Sequence, residues 1–152
     1  MLQRKAVKRT TLELLIKLMQ DGQLTDFILV GGTALALQVG HRDSIDLDMF
    51  TKHPFDASEL DRYLKENYGF TQDYLRKNTL KGDIEGVKVD LITHAYPNVQ
   101  DDILVENVRM ASLPDIAAMK LNAIVGNGTR IKDFIDISYL SSFLSLNDMQ
   151  YD

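Results

Sequence analysis

The sequence predicts a single domain of the α+β class. Some segments carry apolar residues at helical spacing and others alternate apolar with polar residues, in the order α-β-α-β-α, β-hairpin, helical tail. The chain has 152 residues, of which 45% are hydrophobic, which suits one packed core. Since no repeat or linker divides it, we expect one domain over residues 1–152, with a core over about 22–110 and C-terminal helices over about 112–146.

The composition excludes several classes of protein and site. Without cysteine there is no disulfide framework, thiolate zinc site or cysteine nucleophile. The apolar runs are far shorter than the roughly 20 residues of a membrane span, and the N-terminus lacks the features of a signal peptide. We therefore expect a cytoplasmic protein with no membrane partner.

The charge gives only weak information about partners. A net charge of −5 argues mildly against a protein that coats nucleic acid, although a local basic patch can still bind it. One such patch is formed by Arg4, Lys5, Lys8 and Arg9, for which a solvated helix face is the other interpretation.

The secondary structure is predicted from periodicity and from the residues that begin and end each segment. A helix over 5–21 ends near Gly22, a strand over 27–30 leads into Gly31-Gly32-Thr33, and a helix over 33–39 stops at Gly40. The remaining predictions are strands over 45–50, about 70–80, 87–93 and 105–110, a hairpin turn over 84–87, and helices over 57–68, 113–125 and 131–145.

The start of the helix after residue 112 has a specific signature. Ser112 is suited to the N-cap, Pro114 to the first turn, and Asp115 to the third helical position, where an acid completes a capping box.

The strand–glycine–glycine–helix segment is the first candidate for chemistry. Two glycines let the backbone approach a ligand closely, and the N-terminus of the following helix presents unpaired N–H groups to an anion. The hydroxyl of Thr33 adds a further donor. A tight strand-to-helix turn explains the glycines equally well.

Asp46 and Asp48 are the second candidate. Residues i and i+2 of a strand point to the same face, so both carboxylates share one side while Leu47 and Met49 face the other. Two adjacent carboxylates repel unless a cation lies between them, and hard oxygen ligands favour Mg²⁺ or Mn²⁺. The alternative is an acidic strand that faces solvent.

Asp90 is the third candidate, on the polar side of the alternating strand 87–93. If this strand lies beside the one that carries Asp46 and Asp48, three carboxylates cluster on one surface, as in two-metal phosphoryl-transfer sites. Taken alone, Asp90 is better explained as an ordinary surface residue.

These motifs resemble a known family. The stretch from Val30 to Phe50, VGGTALALQVGHRDSIDLDMF, is similar to the AbiEii/AbiGii toxin family of the nucleotidyltransferase superfamily that includes DNA polymerase β. The similarity extends over about residues 26–145 and includes the stretches 78–82, 87–92, 113–123 and 132–136.

The resemblance implies a nucleotidyltransferase fold, a small mixed β-sheet with helices packed on it and a helical C-terminal tail. It implies a Mg²⁺-dependent (or Mn²⁺-dependent) enzyme that moves a nucleoside monophosphate from a nucleoside triphosphate to an acceptor hydroxyl, such as the 3′ end of tRNA or another RNA. It also implies a toxin of an abortive-infection or toxin–antitoxin system with a cognate antitoxin. The alternatives are a protein AMP-transferase and a non-catalytic module that binds nucleotide or a partner.

Site residues follow from the resemblance position by position. It implies that Asp46, Asp48 and Asp90 are catalytic and hold metal, and that Lys120 belongs to the catalytic set. It places Gly31, Gly32 and Thr33 at the triphosphate and one of Asp133 or Asp136 at the nucleotide site. Arg42 and Ser44 are further candidates for phosphate contact because they lie in the loop before the acidic strand, where Ser44 is equally suited to stabilising the turn. Relatives often carry arginine at the position of Asn127, and many have a longer C-terminal helical region.

Lys120 also stands out in the helical pattern itself. It lies four residues from both Ile116 and Ile124, which places it on the apolar stripe of its helix. An inward-facing lysine needs an anionic partner, which phosphate or the acidic site would supply. A lysine that extends from the edge of the stripe to solvent is the alternative.

Overall fold

A computed structural model describes residues 2–40, 46–94, 98 and 100–127 of the chain. The helices are α1 (Arg9–Met19), α2 (Gly31–Val39), α3 (Ala57–Tyr68) and α4 (Leu113–Asn127). The strands are β1 (Ile28–Val30), β2 (Leu47–Thr51), β3 (Thr71–Arg76), β4 (Thr79–Ile84), β5 (Val87–Thr93), β6 (Ile103–Val105) and β7 (Val108–Met110).

The strands form one mixed sheet in the order β3-β4-β5-β2-β1-β7-β6. β2 pairs in parallel with β5 and antiparallel with β1, while β1 pairs in parallel with β7. Helices pack against this sheet, and α2 contacts both β1 and β2. The predicted α+β class, with a mixed sheet and packed helices, is confirmed.

The core lies on the apolar side of the central strands. Leu47 and Met49 of β2, Leu29 of β1 and Leu91 of β5 are completely buried, whereas Asp48 in the same strand as Leu47 is only partly buried. This alternation confirms the period of two predicted for β2 and β5. It leaves the acidic side chains on the other side of the sheet.

Both ends of α3 and the start of α4 are capped. Asp56 accepts a hydrogen bond from the N–H of Glu59 at the start of α3, and Gly69 ends that helix in the left-handed conformation. At the start of α4, Ser112 Oγ accepts from the N–H of Asp115 and donates to its carboxylate at 2.7 Å. The Ser112–Asp115 prediction is thereby confirmed.

Two predicted strands are in fact hairpins. The prediction of one strand over 70–80 is wrong, because the chain turns at Asn78, whose φ is +56°. The prediction of one strand over 105–110 is wrong for the same reason, because Glu106 and Asn107 both have positive φ and join β6 to β7. Two-residue hairpin turns need positive φ, which asparagine tolerates better than most side chains.

Three helix boundaries also differ from the predictions. α1 begins at Arg9 rather than at residue 5, since Arg4–Ala6 forms a separate 3₁₀ turn. α2 begins at Gly31 rather than at residue 33, so the glycines form its first turn. α4 runs to Asn127 rather than to residue 125. The helix predicted over 131–145 lies outside the described residues.

The basic patch near the N-terminus is not a single helix face. Arg4 lies in the 3₁₀ turn and forms an ion pair with Glu106 at 2.8 Å, while Lys8 precedes α1. The patch is therefore divided between two elements, and Arg4 holds the turn between β6 and β7.

Arg109 connects the far edge of the sheet to the N-terminal region. Its guanidinium donates to the backbone carbonyls of Met19, Leu24 and Phe27 at 3.0–3.1 Å. The end of α1, the following turn and the start of β1 are thereby tied to β7.

Candidate active site

The centre of the sheet brings two of the predicted acids together. Asp48 in β2 and Asp90 in β5 are direct partners in the register of two adjacent parallel strands. Directly paired residues present their side chains to the same face, at a strand spacing of about 4.8 Å. The sequence predicted that the acids come together if these two strands are neighbours, and the structure confirms that they are. Asp46 lies two residues before Asp48.

Asp90 is the acid most affected by its surroundings. Burial raises the pKa of its carboxyl, Lys81 and Lys88 lower it in part, and the carboxylates of Asp46 and Asp73 raise it. Its Oδ1 is buried and has no hydrogen-bond partner among the described residues. A buried carboxylate oxygen without a partner is costly, so this atom is suited to receive a cation or a proton.

The glycine turn lies directly against Asp48. Gly31 has a φ of +72°, and a Cβ atom at this residue would lie 2.5 Å from Asp48 Oδ2. Val30, just before the turn, is the register partner of Asp48 on β1. Glycine is therefore required here for two reasons, the backbone conformation and the close approach of the carboxylate.

Thr33 has a structural contact within this turn. It is buried, and its hydroxyl donates a hydrogen bond to the backbone carbonyl of Asp46. Thr33 thereby fixes the segment that leads into β2 and carries Asp46. Its predicted contact with triphosphate stays a prediction.

Lys120 faces inward, as its position on the apolar stripe predicted. Only 8% of its surface is exposed, and it lies in α4, which packs against α2. Since α2 starts at the glycine turn, this packing joins the helix that carries Lys120 to the helix whose N-terminus lies beside Asp48.

Four predicted nucleotide-binding residues cannot be placed relative to this site. Arg42, Ser44, Asp133 and Asp136 lie outside the described residues. Their predicted roles stay predictions.

The donor set suits a hard cation, but the acids are not already gathered around one ion. Carboxylate oxygens are the ligands that Mg²⁺ and Mn²⁺ prefer, and the buried Asp90 Oδ1 has a coordination position open. Over residues 2–40, 46–94 and 100–127, no three His, Asp or Glu side chains converge closely enough to ligate one ion together. Mg²⁺ is commonly held by one or two carboxylates together with substrate phosphates, so a set of three is not needed.

Sequence reasoning missed a cavity on the same side of the sheet. It has a volume of about 220 Å³ and lies between the sheet and the first half of α4. Phe50 lines it two residues beyond Asp48, and the ring of His94 lies 4.7 Å from that of Phe50. Burial lowers the pKa of His94. The alternation of β2 placed Phe50 on the acidic face, but nothing in the sequence indicated that α4 would enclose a cavity there.

No helix within the described part of the chain is both long and apolar enough to cross a membrane.

Structures of similar fold are nucleotidyltransferases. The crystal structure of ANT(2″)-Ia in complex with adenylyl-2″-tobramycin is similar with a TM-score of 0.63 at 15% identity, over 94% of this chain and 93% of that one. A putative nucleotidyltransferase from Helicobacter pylori is similar with a TM-score of 0.58 at 20% identity, over 95% of this chain and 72% of that one. At these identities the similarity establishes the fold.

Sequence comparison identifies the family. An uncharacterized protein of Aquifex aeolicus (strain VF5) is 34% identical over 140 residues, which are 90% of this chain and 68% of that protein. The family profile described as "Nucleotidyl transferase AbiEii toxin, Type IV TA system" matches residues 13–103 and 83–151, nearly the whole chain. The protein therefore belongs to the family of AbiEii nucleotidyltransferase toxins.

Proposed function

We propose that the protein transfers a nucleoside monophosphate from a nucleoside triphosphate to a hydroxyl of RNA, with the 3′ end of tRNA as the foremost acceptor. The observation that carries the proposal is the pairing of Asp48 with Asp90 beside the glycine turn, with Asp90 Oδ1 buried and without a partner. Neighbouring carboxylates beside the N-terminus of a helix support in-line phosphoryl transfer as the reaction.

The chain's own residues have distinct roles in this reaction. Backbone N–H groups of Gly31, Gly32 and Thr33, at the N-terminus of α2, hold the triphosphate, with Lys120 as a further donor. Asp90 accepts the proton of the acceptor hydroxyl, whose oxygen forms a bond to the α-phosphorus while the bond to the β-phosphate breaks and pyrophosphate leaves. Arg42 and Ser44 would contact the phosphates, and Asp133 and Asp136 would complete the nucleotide site.

A divalent cation, Mg²⁺ or Mn²⁺, would neutralise the charge that develops on the phosphate oxygens. Asp46, Asp48 and Asp90 are the residues that would hold it, because Asp48 and Asp90 share one side of the sheet and the charge of Asp46 acts on Asp90.

A transfer assay tests the proposal. Purified protein is incubated with each α-labelled nucleoside triphosphate, with Mg²⁺ or Mn²⁺, and with total cell RNA plus protein extract. We expect label in a tRNA-sized band, and we expect the Asp46→Asn/Asp48→Asn variant to lose it. Asp101→Asn/Glu66→Gln is a matched control, because it removes the same charge from two exposed positions.

Each other outcome of the assay contradicts a part of the proposal. Label in a protein band would identify a protein AMP-transferase, and label in added tobramycin would identify a small-molecule acceptor like the one in the ANT(2″)-Ia complex. Nucleotide binding without any transfer would identify a non-catalytic module. Equal labelling by the double Asn variant would exclude this pair of acids from the reaction.

We further propose that the activity is toxic and that a cognate antitoxin controls it, on the basis of the family to which the chain belongs. Induced expression in host cells should stop growth, whereas the Asp46→Asn/Asp48→Asn variant, expressed to the same level, should not. Growth that is equally impaired by both proteins would separate toxicity from transfer.

A further inference from the structure

A cluster of one aromatic and two basic side chains lies beside the acids on the same face of the sheet. The register runs from Tyr74 on β3 through Lys81 on β4 to Asp90 on β5 and Asp48 on β2. Arg76, two residues after Tyr74, shares its face. We call Tyr74, Arg76 and Lys81 the basic-aromatic cluster.

Both cations of the cluster approach the ring of Tyr74. Arg76 Cζ lies 5.5 Å and Lys81 Nζ 5.7 Å from the centre of the Tyr74 ring, and Arg76 Nε donates to the Tyr74 hydroxyl at 3.2 Å. Tyr74 is nevertheless 44% exposed. Within the part of the chain that the structure describes, neither cation forms a salt bridge with a carboxylate.

An irregularity in β3 places Tyr74 on this face. The register of β3 against β4 shifts between Gln72 and Tyr74, so that Asp73 is an extra residue and Tyr74 lies opposite Lys81. Without this bulge, Asp73 would take the place of Tyr74 and an acid would lie opposite the lysine. Bulges of this kind redirect side chains and are frequent next to active sites.

We propose that the basic-aromatic cluster binds the single-stranded 3′ segment of the acceptor RNA and leads its terminal hydroxyl to Asp90. This inference rests on the proposed function. An exposed aromatic ring offers a base a stacking surface without preference for its identity, and Arg76 and Lys81 neutralise the phosphates on either side. Tyr74 lies two β-strand spacings, about 10 Å, from Asp90. An RNA segment with a base stacked on Tyr74 therefore ends at the acids.

Charge complementarity favours a nucleic acid strand over other occupants. The acids Asp46, Asp48 and Asp90 repel a polyanion at the centre of the face, whereas the cluster at its β3 edge attracts one. Two further acids lie close by, but Asp73 is on the bulge and Asp83 is engaged with the N–H of Gly86.

The test measures RNA binding without relying on turnover. The probe is a short fluorescein-labelled single-stranded RNA with a free 3′ hydroxyl, and binding is followed by anisotropy in the full-length Asp46→Asn/Asp48→Asn background. Tyr74→Ala should weaken binding about 10-fold, as expected for one stacked base, while Tyr74→Phe keeps the ring and should bind as before. Leu104→Ala is the matched control, because Leu104 is an exposed apolar residue on the opposite edge strand.

Salt dependence separates stacking from phosphate contact. Arg76→Ala should make the slope of log K against log salt shallower by about 0.7, the value for one phosphate of a single strand. Tyr74→Ala should leave that slope unchanged, and Lys17→Ala, at an exposed position on α1, should change neither affinity nor slope.

The outcomes distinguish this inference from the proposed function. RNA binding that is absent, or unchanged in Tyr74→Ala and Arg76→Ala, overturns the inference even if the enzyme labels RNA. In the active enzyme, Tyr74→Ala should raise KM for RNA and leave KM for the nucleoside triphosphate unchanged. If RNA binding depends on Tyr74 but the protein transfers nothing to RNA, the proposed reaction is overturned and the RNA-binding surface stands.

Discussion

Two aspartates of this protein have opposite environments. Asp21, before the first strand, accepts hydrogen bonds from the N–H of Gln23 and from the hydroxyls of Tyr63 and Tyr68, at 2.5–2.9 Å. Burial raises the pKa of Asp21, but these hydrogen bonds outweigh it and hold the pKa below its usual value. The pKa of Asp90 is raised, and one of its oxygens has no partner among the described residues.

The difference separates an acid that stabilises the fold from an acid suited to chemistry. All the hydrogen-bond donors around Asp21 come from the chain itself, and they join the turn after α1 to α3. Asp90 has neighbouring charges but an open coordination position, so its ionised form gains most when a ligand arrives. Four predictions test this contrast, from the largest expected effect to the smallest.

Asp90→Asn should have the largest of the four effects. It should lower the rate of transfer and leave the stability of the fold nearly unchanged. Loss of the group that accepts the proton should slow transfer on the order of 1000-fold. The free energy of unfolding should change by less than about 1 kcal/mol, because the oxygen that is lost has no hydrogen bond to lose. Labelled-nucleotide transfer and urea unfolding measure the two effects, and a large loss of stability would show that Asp90 also supports the fold.

Asp21→Ala should have the converse effect. It leaves the Tyr63 and Tyr68 hydroxyls without their acceptor, which should cost about 3 kcal/mol of unfolding free energy. The rate of transfer per folded molecule should stay the same. The same urea and transfer assays apply, and a selective loss of activity would contradict the assignment of Asp21 to the fold.

The stability difference between the wild type and Asp21→Ala should depend on pH. The pKa of Asp21 is lowered in the folded protein from its ordinary value of 3.8. A carboxyl with a lowered pKa stabilises the fold above the unfolded value and loses that contribution as the pH falls through the folded value. Urea unfolding should therefore show a constant difference above about pH 5 that shrinks below 3.8, and a difference that grows there would reverse the sign.

Tyr63→Phe should have the smallest effect. It removes one of the two tyrosine donors and leaves Tyr68 and Gln23 on the carboxylate, so we expect a loss of about 1 kcal/mol. Thermal unfolding at fixed pH measures it, with Tyr74→Phe, at an exposed ring on β3, as the matched control. Equal losses in the two variants would mean that the Asp21 contact contributes nothing specific.

The sequence predicts best what depends on local pattern. Alternation placed Asp48 and Asp90 on the polar face of their strands, and the capping residues gave the start of α4 at Leu113. The two missed hairpins have no glycine in their turns, and Asn78 and Asn107 supply the positive φ instead. Asparagine is common in many kinds of loop, so it marks such turns less clearly than glycine does.

The rest depends on long-range pairing that no local pattern contains. The basic-aromatic cluster requires the extra residue at Asp73, which alternation along β3 does not indicate. The cavity beside Phe50 requires the packing of α4 over the sheet. Gly31 lies between these two cases. The sequence indicated that some group approaches its backbone closely, but only the structure identifies that group as Asp48.

The position of β1 has a consequence for the order of folding. This strand of three residues carries the chain into the glycine turn, and its two neighbours are β2 and the much later β7. Contacts between residues so distant in sequence form slowly, and during synthesis they must wait for the later residues to emerge. We therefore expect a nascent chain that ends before β7 to lack a firmly seated glycine turn, so this turn takes its final position only after β7 has emerged.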